Sequence, residues 1–423
     1  MAVLLCVTAS LALVNDRYLR LQRDIGLLGL ACGVAVLLRI VELLQPTGLV
    51  ANLARLTQSL NLNETLLKGV LCFMLFRGSV AVRWASLREQ RWLVLALAFL
   101  GTTIASLVTG WLTYRGLATA GVSLTLAQAL LFGALIAATD PVAALAILDR
   151  IGLPANLETV LDGESLINDG VAVVLFTVFA AAAIDGVAPS SLEASAIFLR
   201  EVVGGVALGL AGWLVIHLLL PRATDYPTGL LISLGAVAGL YAIALNLDVS
   251  GPIATVVAGL LTGNRTLHGL DARVHPPLRV FWNGLDDVLN ALLFVFVGLH
   301  VVLIDPLTDV VVGAPALVAI AAVLAGRAVA VGMIVAGLDA LGVIRAAVWR
   351  LSALLPWGGM RGGLSLALVL SLPESGWKPV LLNMTFAVVV FSIVVQGLTI
   401  DRLFDAPTLR RLLGHPSAGA RRH

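Results

Sequence analysis

Glu164, Ser165, Asn168 and Asp169 fall within one short stretch, GESLINDGVAVVLF, residues 163–176. Carboxylate, hydroxyl and amide oxygens are ligands for hard cations, and a carboxylate can take a proton instead. In a helix, residues four apart share a face. Ser165 therefore pairs with Asp169, and Glu164 with Asn168 on a stripe about 100° round. The first stripe offers a carboxylate and a hydroxyl to an ion. The second sends Glu164 sideways toward a cation, for which Arg327 in LAGRAVAV is the natural partner. On this reading Glu164 holds the scaffold and Asp169 is the working acid. Asn168 is a ligand or brace that cannot titrate.

The elements that carry these residues are otherwise oil. Of 423 residues, 59% are hydrophobic and 12% charged, and the mean hydropathy is +1.01. A soluble domain averages about 25% charged residues. Repeated apolar runs long enough to cross a bilayer make the chain an all-α polytopic membrane protein. Thirteen segments are expected: 1–14, 25–44, 65–80, 92–114, 124–149, 158–182, 197–220, 228–246, 251–264, 286–304, 311–338, 347–372 and 379–400. The first and ninth are short for a span of about 20 residues. The N-terminal MAVLLCVTASLALV lacks a basic leader region and reads as a first span rather than a cleaved signal. The expected division is a transmembrane domain over 1–401 and a short basic tail over 402–423.

Thirteen spans put the termini on opposite sides. With the N-terminus outside, 18 of the 27 Lys and Arg lie on the inner side and five on the outer. Arg17, Arg20, Arg23, Arg83, Arg88 and Arg91 are among the inner ones. The positive-inside rule thus places the N-terminus outside and the C-terminus in the cytoplasm, as expected of an inner cell-membrane protein.

Five charges fall deep in spans: Asp140, Glu164, Asp169, Arg327 and Arg361. Each costs about 2.5–3.5 kcal/mol at mid-membrane on insertion scales. A structural ion pair is the ordinary explanation for any one of them. Two of the segments that carry them are also broken. In AATDPVAALAIL, 137–148, Pro141 blocks continuation of the preceding helix and Asp140 is a good cap for the next. In LLPWGGMRGGLSLAL, 354–368, Pro356 and four glycines interrupt the helix around Arg361. These are the fifth and twelfth segments. They correspond if segments 1–6 and 8–13 are repeats of opposite orientation. Interrupted helices in matching places point to a transporter site. Crossed half-helices aim positive N-termini and negative C-termini at the midplane. Asp140 can offset the former and Arg361 the latter.

Burial disfavours the bare charge of Asp169, so either a proton or a small cation neutralises it. The two states exclude each other. If the protein reorients only when neutralised there, it exchanges proton for cation obligatorily. A single titrating site makes the exchange one for one with a monovalent cation, and electroneutral.

At this point the chain resembles the sodium/proton antiporters of the monovalent cation:proton antiporter superfamily. The matching stretches are ATDP at 138–141, GESLINDG at 163–170, FWNGLDDVLNALLFVFVGL at 281–299, GRA at 326–328, WGGMRGGLSLALVLSLP at 357–373 and FSIVVQGLT at 391–399. They occur in family order over most of the chain. The resemblance implies about thirteen helices, an inverted repeat and an ion-carrying core that moves against a scaffold in a homodimer. It implies that Asp169 binds the ion with Thr139, Ser165, Asn168 and Asp140 around it, and that Glu164 pairs with Arg327. The expected substrates are Na⁺, or Li⁺, and H⁺; potassium/proton exchange is the alternative. Three positions depart from the family pattern. Arg77 stands in LFRG where many members have an acid, Asn283 stands where FWE is usual, and Gln22 replaces a proline.

Other classes fit less well. A membrane-embedded enzyme could use paired aspartates, but no nucleophile or metal-ligand motif accompanies Asp140 and Asp169. A cation channel would pass current without moving protons. Cys6, Cys32 and Cys72 form no CxxC pair and the six histidines form no ligand-spaced pair within a span. No metal site beyond the transported cation, no cofactor and no nucleic-acid partner is expected; membrane lipid is.

Overall fold

The computed structural model describes residues 2–45, 48, 62–140, 155–186, 191–267, 274–299, 313–343 and 355–399. These residues are helical apart from turns and breaks. The helices are α1 (Ala2–Val14), α2 (Arg23–Leu44), α3 (Leu62–Ala81), α4 (Trp84–Leu95), α5 (Thr102–Thr119), α6 (Leu126–Leu135), α7 (Ala155–Asp185) and α8 (Ser191–Leu219). There follow α9 (Tyr226–Asn246), α10 (Gly251–Leu261), α11 (His275–Leu299), α12 (Ala314–Ala340), α13 (Leu355–Gly358), α14 (Gly363–Leu370) and α15 (Lys378–Val390). Among the described residues nine helical stretches are long and apolar enough to cross a membrane, and Leu126–Leu135 is a shorter apolar helix. The chain is a multi-pass membrane protein. The basic tail at 402–423 lies outside the described residues, as does the second half of the fifth segment from Pro141 on.

Both short expected spans are lengthened by wide π turns. α1 continues through Asn15–Leu19, and α10 through Thr262–Thr266. In the first, the Asn15 side chain turns inward and donates to the Leu21 carbonyl at 3.0 Å. π turns in membrane helices reorient side chains without breaking the helix. The tenth span differs more. It was expected from 286, but α11 begins at His275. Its first turns are amphipathic, so an apolar run alone does not mark them. Trp282 and Leu278 are buried there, while Asn283, Asp286 and Asp287 occupy another face.

Local signals set the helix ends. Thr125 and Gln128 form a reciprocal capping box at the start of α6. Asp225 and Ser250 cap α9 and α10, each followed within two residues by the proline favoured at a helix start. Lys378 closes α14 from the far side, its Nζ donating to the carbonyls of Leu370 at 3.3 Å and Leu372 at 2.6 Å. α5 and α6 approach closely because Gly133 has no side chain; a Cβ there would stand 2.1 Å from the Ser106 carbonyl oxygen.

One apolar cluster joins the elements that flank the breaks. It includes Leu27 and Leu28 of α2, Leu131, Phe132 and Leu135 of α6, Phe294 and Val295 of α11, Val369 of α14 and Leu381 and Val389 of α15. Leu199, Val203, Leu210 and Leu214 of α8 are exposed, as suits a lipid-facing helix.

Candidate functional site

The two interruptions meet. α6 ends at Leu135, and residues 138–140 are not helical before the proline that follows in the sequence. A residue before proline is pushed away from helical geometry. The Asp140 N–H donates to the Met360 carbonyl at 2.7 Å, an antiparallel one-residue bridge between the break after α6 and the break between α13 and α14. Backbone groups freed by a helix break inside a membrane must find partners, and here each break supplies the other.

Arg361 ties the junction further. Its guanidinium donates to the carbonyls of Ala137 at 2.6 Å and Ala138 at 3.0 Å, where α6 has run out of helix partners. Its own N–H donates to the Ser392 hydroxyl at 2.8 Å. The Ser392 hydroxyl in turn donates to Gln396, whose amide donates to the Trp357 carbonyl at 3.4 Å. Ser392 and Gln396 lie in the FSIVVQGLT stretch, but their bracing role had no sequence signal of its own. At Gly362 the chain needs the absence of a side chain. A Cβ there would lie 2.6 Å from the Asp140 carboxylate.

α7 faces this junction. Ser165 donates its hydroxyl to the Thr139 carbonyl. Asn168 grips the same residue at both ends. Its Nδ2 donates to the Thr139 hydroxyl at 2.6 Å and its Oδ1 accepts from the Thr139 N–H at 3.4 Å. All three are buried. The stripe reading grouped Asn168 with Glu164; the structure groups it with Ser165, three residues away, because positions three apart also share a face. Asn168 is a brace. Glu164 turns from the junction to Arg327 on α12, which donates to both carboxylate oxygens, Nη2 to Oε2 at 2.8 Å. The side chains of Arg327 and Glu164 are only 3% and 1% exposed, so the pair is sealed from water.

A cavity of about 680 Å³ reaches the junction. Asp169, Asp140, Thr139 and Ser165 line it, together with Gly362 and Ser365 of the second break. Asp169 has no hydrogen-bond or ion-pair partner among the described residues, and Asp140 is close enough to act on it electrostatically. The Ser365 hydroxyl is buried without a hydrogen-bond partner among the described residues. Four more carboxylates line the cavity, Asp24, Asp162, Asp286 and Asp287, with Asn290. Sequence reasoning missed these as site residues. The spacing of Asn283, Asp286 or Asp287, and Asn290 at three to four residues marks one polar face on α11 and could have found three of them. No group of three metal-ligating side chains occurs among the described residues.

Comparisons with known proteins show the chain's family and its fold. The family described as sodium/hydrogen exchanger, transmembrane, matches residues 20–406. The Na(+)/H(+) antiporter NhaP of Pseudomonas aeruginosa is 35% identical over 413 residues, covering 97% of this chain and 96% of that one. The Na(+)/H(+) antiporter NhaH of Halobacillus aidingensis is 35% identical over 365 residues, covering 84% and 85%. The structure of the sodium proton antiporter MjNhaP1 from Methanocaldococcus jannaschii shares the fold, with a TM-score of 0.75, 18% identity and 98% of each chain covered. The chain belongs to the sodium/hydrogen exchanger family.

Proposed function

We propose that Asp169 binds Na⁺ and H⁺ in turn, and that this alternation is how the chain performs the Na⁺/H⁺ exchange of its family. The observation that carries the reading is the state of Asp169. Its near neighbours on the same helix are committed elsewhere: Ser165 and Asn168 to Thr139, Glu164 to Arg327. Asp169 faces the cavity without such a partner among the described residues. A carboxylate away from bulk water and beside a second carboxylate is unfavourable while bare. Na⁺ or a proton relieves it, and each excludes the other. Ser165, Thr139 and Asp140 line the same space, and their oxygens would complete the cation's shell. Na⁺ is the ion in the names of the family and of the relatives described above, which speaks against the potassium alternative.

The cavity opens inward on this reading. Gln22 and Arg23 at the start of α2 and Val82 just after α3 line it. Both ends adjoin stretches rich in arginine, at 17–23 and 83–91, which the positive-inside rule assigns to the cytoplasmic side. The contact between the two breaks supports crossed half-helices in an inverted repeat, and the charge asymmetry puts the N-terminus outside and the C-terminus inside. Alternating access then exposes the same junction to the other side.

One neutralised site moves no net charge per cycle. Proteoliposomes loaded with a pH dye should respond to added sodium or lithium salts and not to choline. Clamping the membrane potential with potassium and valinomycin, once potassium is shown not to be transported, should leave the Na⁺-driven proton flux unchanged. Flux that scales with the imposed potential would mean a second titrating group, with Asp140 first in line.

A further inference from the structure

Arg77 of α3 lines the same cavity as Asp169. Its Nε donates to Asn283 Oδ1 at 3.2 Å and lies 3.6 Å from Asp286 Oδ2, both on α11. The two helices are held in that register by aromatic packing. Phe76, next to Arg77, meets Trp282, next to Asn283, at 4.9 Å between ring centroids. The Arg77 side chain is 31% exposed and that of Asp286 17%, so the pair is neither fully solvated nor sealed. Among the described residues the cavity wall carries six aspartates and two arginines, Arg77 and Arg23. A guanidinium keeps its charge at every accessible pH. In a partly dehydrated cavity that charge is screened less than at an open surface.

Resting on the reading of this cavity as the cation's route to Asp169, we propose that Arg77 is a tethered cation that sets the apparent affinity for the transported one. It repels Na⁺ and draws on the carboxylate field that would otherwise attract it. Asp286 is its counter-charge and limits that repulsion; Asn283 fixes the guanidinium in place.

The two members of the pair therefore have opposite expected effects. Arg77→Gln removes the positive charge and lowers the KM for Na⁺, by about three- to ten-fold at low ionic strength. Asp286→Asn leaves Arg77 uncompensated and removes an attracting carboxylate, so it raises the KM by a similar factor. A purely structural link between α3 and α11 would move both variants in the same direction. Arg77→Lys keeps the charge and should stay near the wild-type KM. The test is Na⁺-dependent proton flux in proteoliposomes of the full chain, at two ionic strengths set with choline chloride. The order Asp286→Asn above wild type above Arg77→Gln, compressed at high ionic strength, supports the proposal. An Arg77→Gln KM equal to or above wild type overturns it, as does an Arg77→Lys KM as low as that of Arg77→Gln. Asp169→Asn is measured alongside and reports separately on the site itself. Flux surviving there overturns the assignment of Asp169 and leaves the Arg77 comparison to be read on its own KM values.

Discussion

Asp169→Asn is expected to abolish Na⁺-dependent proton flux while the protein still inserts and purifies like wild type. Asparagine keeps the shape of the side chain but cannot take up a proton or neutralise a cation. Losing a charged ligand contact of about 3 kcal/mol is a factor of about a hundred, and losing the group proposed to take proton and cation in turn removes coupling altogether. The surrounding frame should survive, because no described hydrogen bond or ion pair depends on the Asp169 carboxylate. Ser165 and Asn168 would still hold Thr139. Substantial cation-dependent flux in this variant, measured with a trapped pH dye, would transfer the role to another acid in the cavity.

The opposite pattern is expected at Arg327. Arg327→Ala removes one partner of a sealed pair and leaves the Glu164 carboxylate, 1% exposed, without compensation. Breaking a buried pair in this way costs about 3–5 kcal/mol. Expression and the thermal midpoint in detergent should fall before Na⁺ affinity changes. Adding Glu164→Gln removes the stranded charge and should recover part of the lost stability, a coupling that a double-mutant cycle measures. An Arg327→Ala protein of normal stability with an altered KM for Na⁺ would place Arg327 in the ion site instead.

The broad architecture was legible because membrane insertion writes it in composition. Apolar length marked the spans, and helix breakers beside charges marked the two interruptions before any contact was known. Glu164 and Arg327 were legible as partners because a lone buried charge is so unfavourable. Two kinds of feature were not legible. Amphipathic ends escape an apolar-run criterion, which is why α11 starts earlier than expected and why Asp286, Asp287 and Asn290 were not placed in the cavity. Groups whose role is to satisfy freed backbone, such as Ser392, Gln396 and Lys378, look like ordinary polar residues until the carbonyls they serve are located. Asn168 illustrates the limit within one helix. Periodicity admits partners at three or four residues, and only the position of Thr139 decides between them.

The mutual exclusion of Na⁺ and H⁺ at Asp169 is tested most directly by counting protons. Purified protein in weakly buffered detergent solution, at a pH where the site holds its proton, is titrated with NaCl against a choline chloride control, and released protons are read with an indicator dye. If Asp169 is the shared site, wild-type protein releases close to one proton for each Na⁺ bound and Asp169→Asn releases none. Saturable Na⁺ binding to wild type without proton release would contradict it.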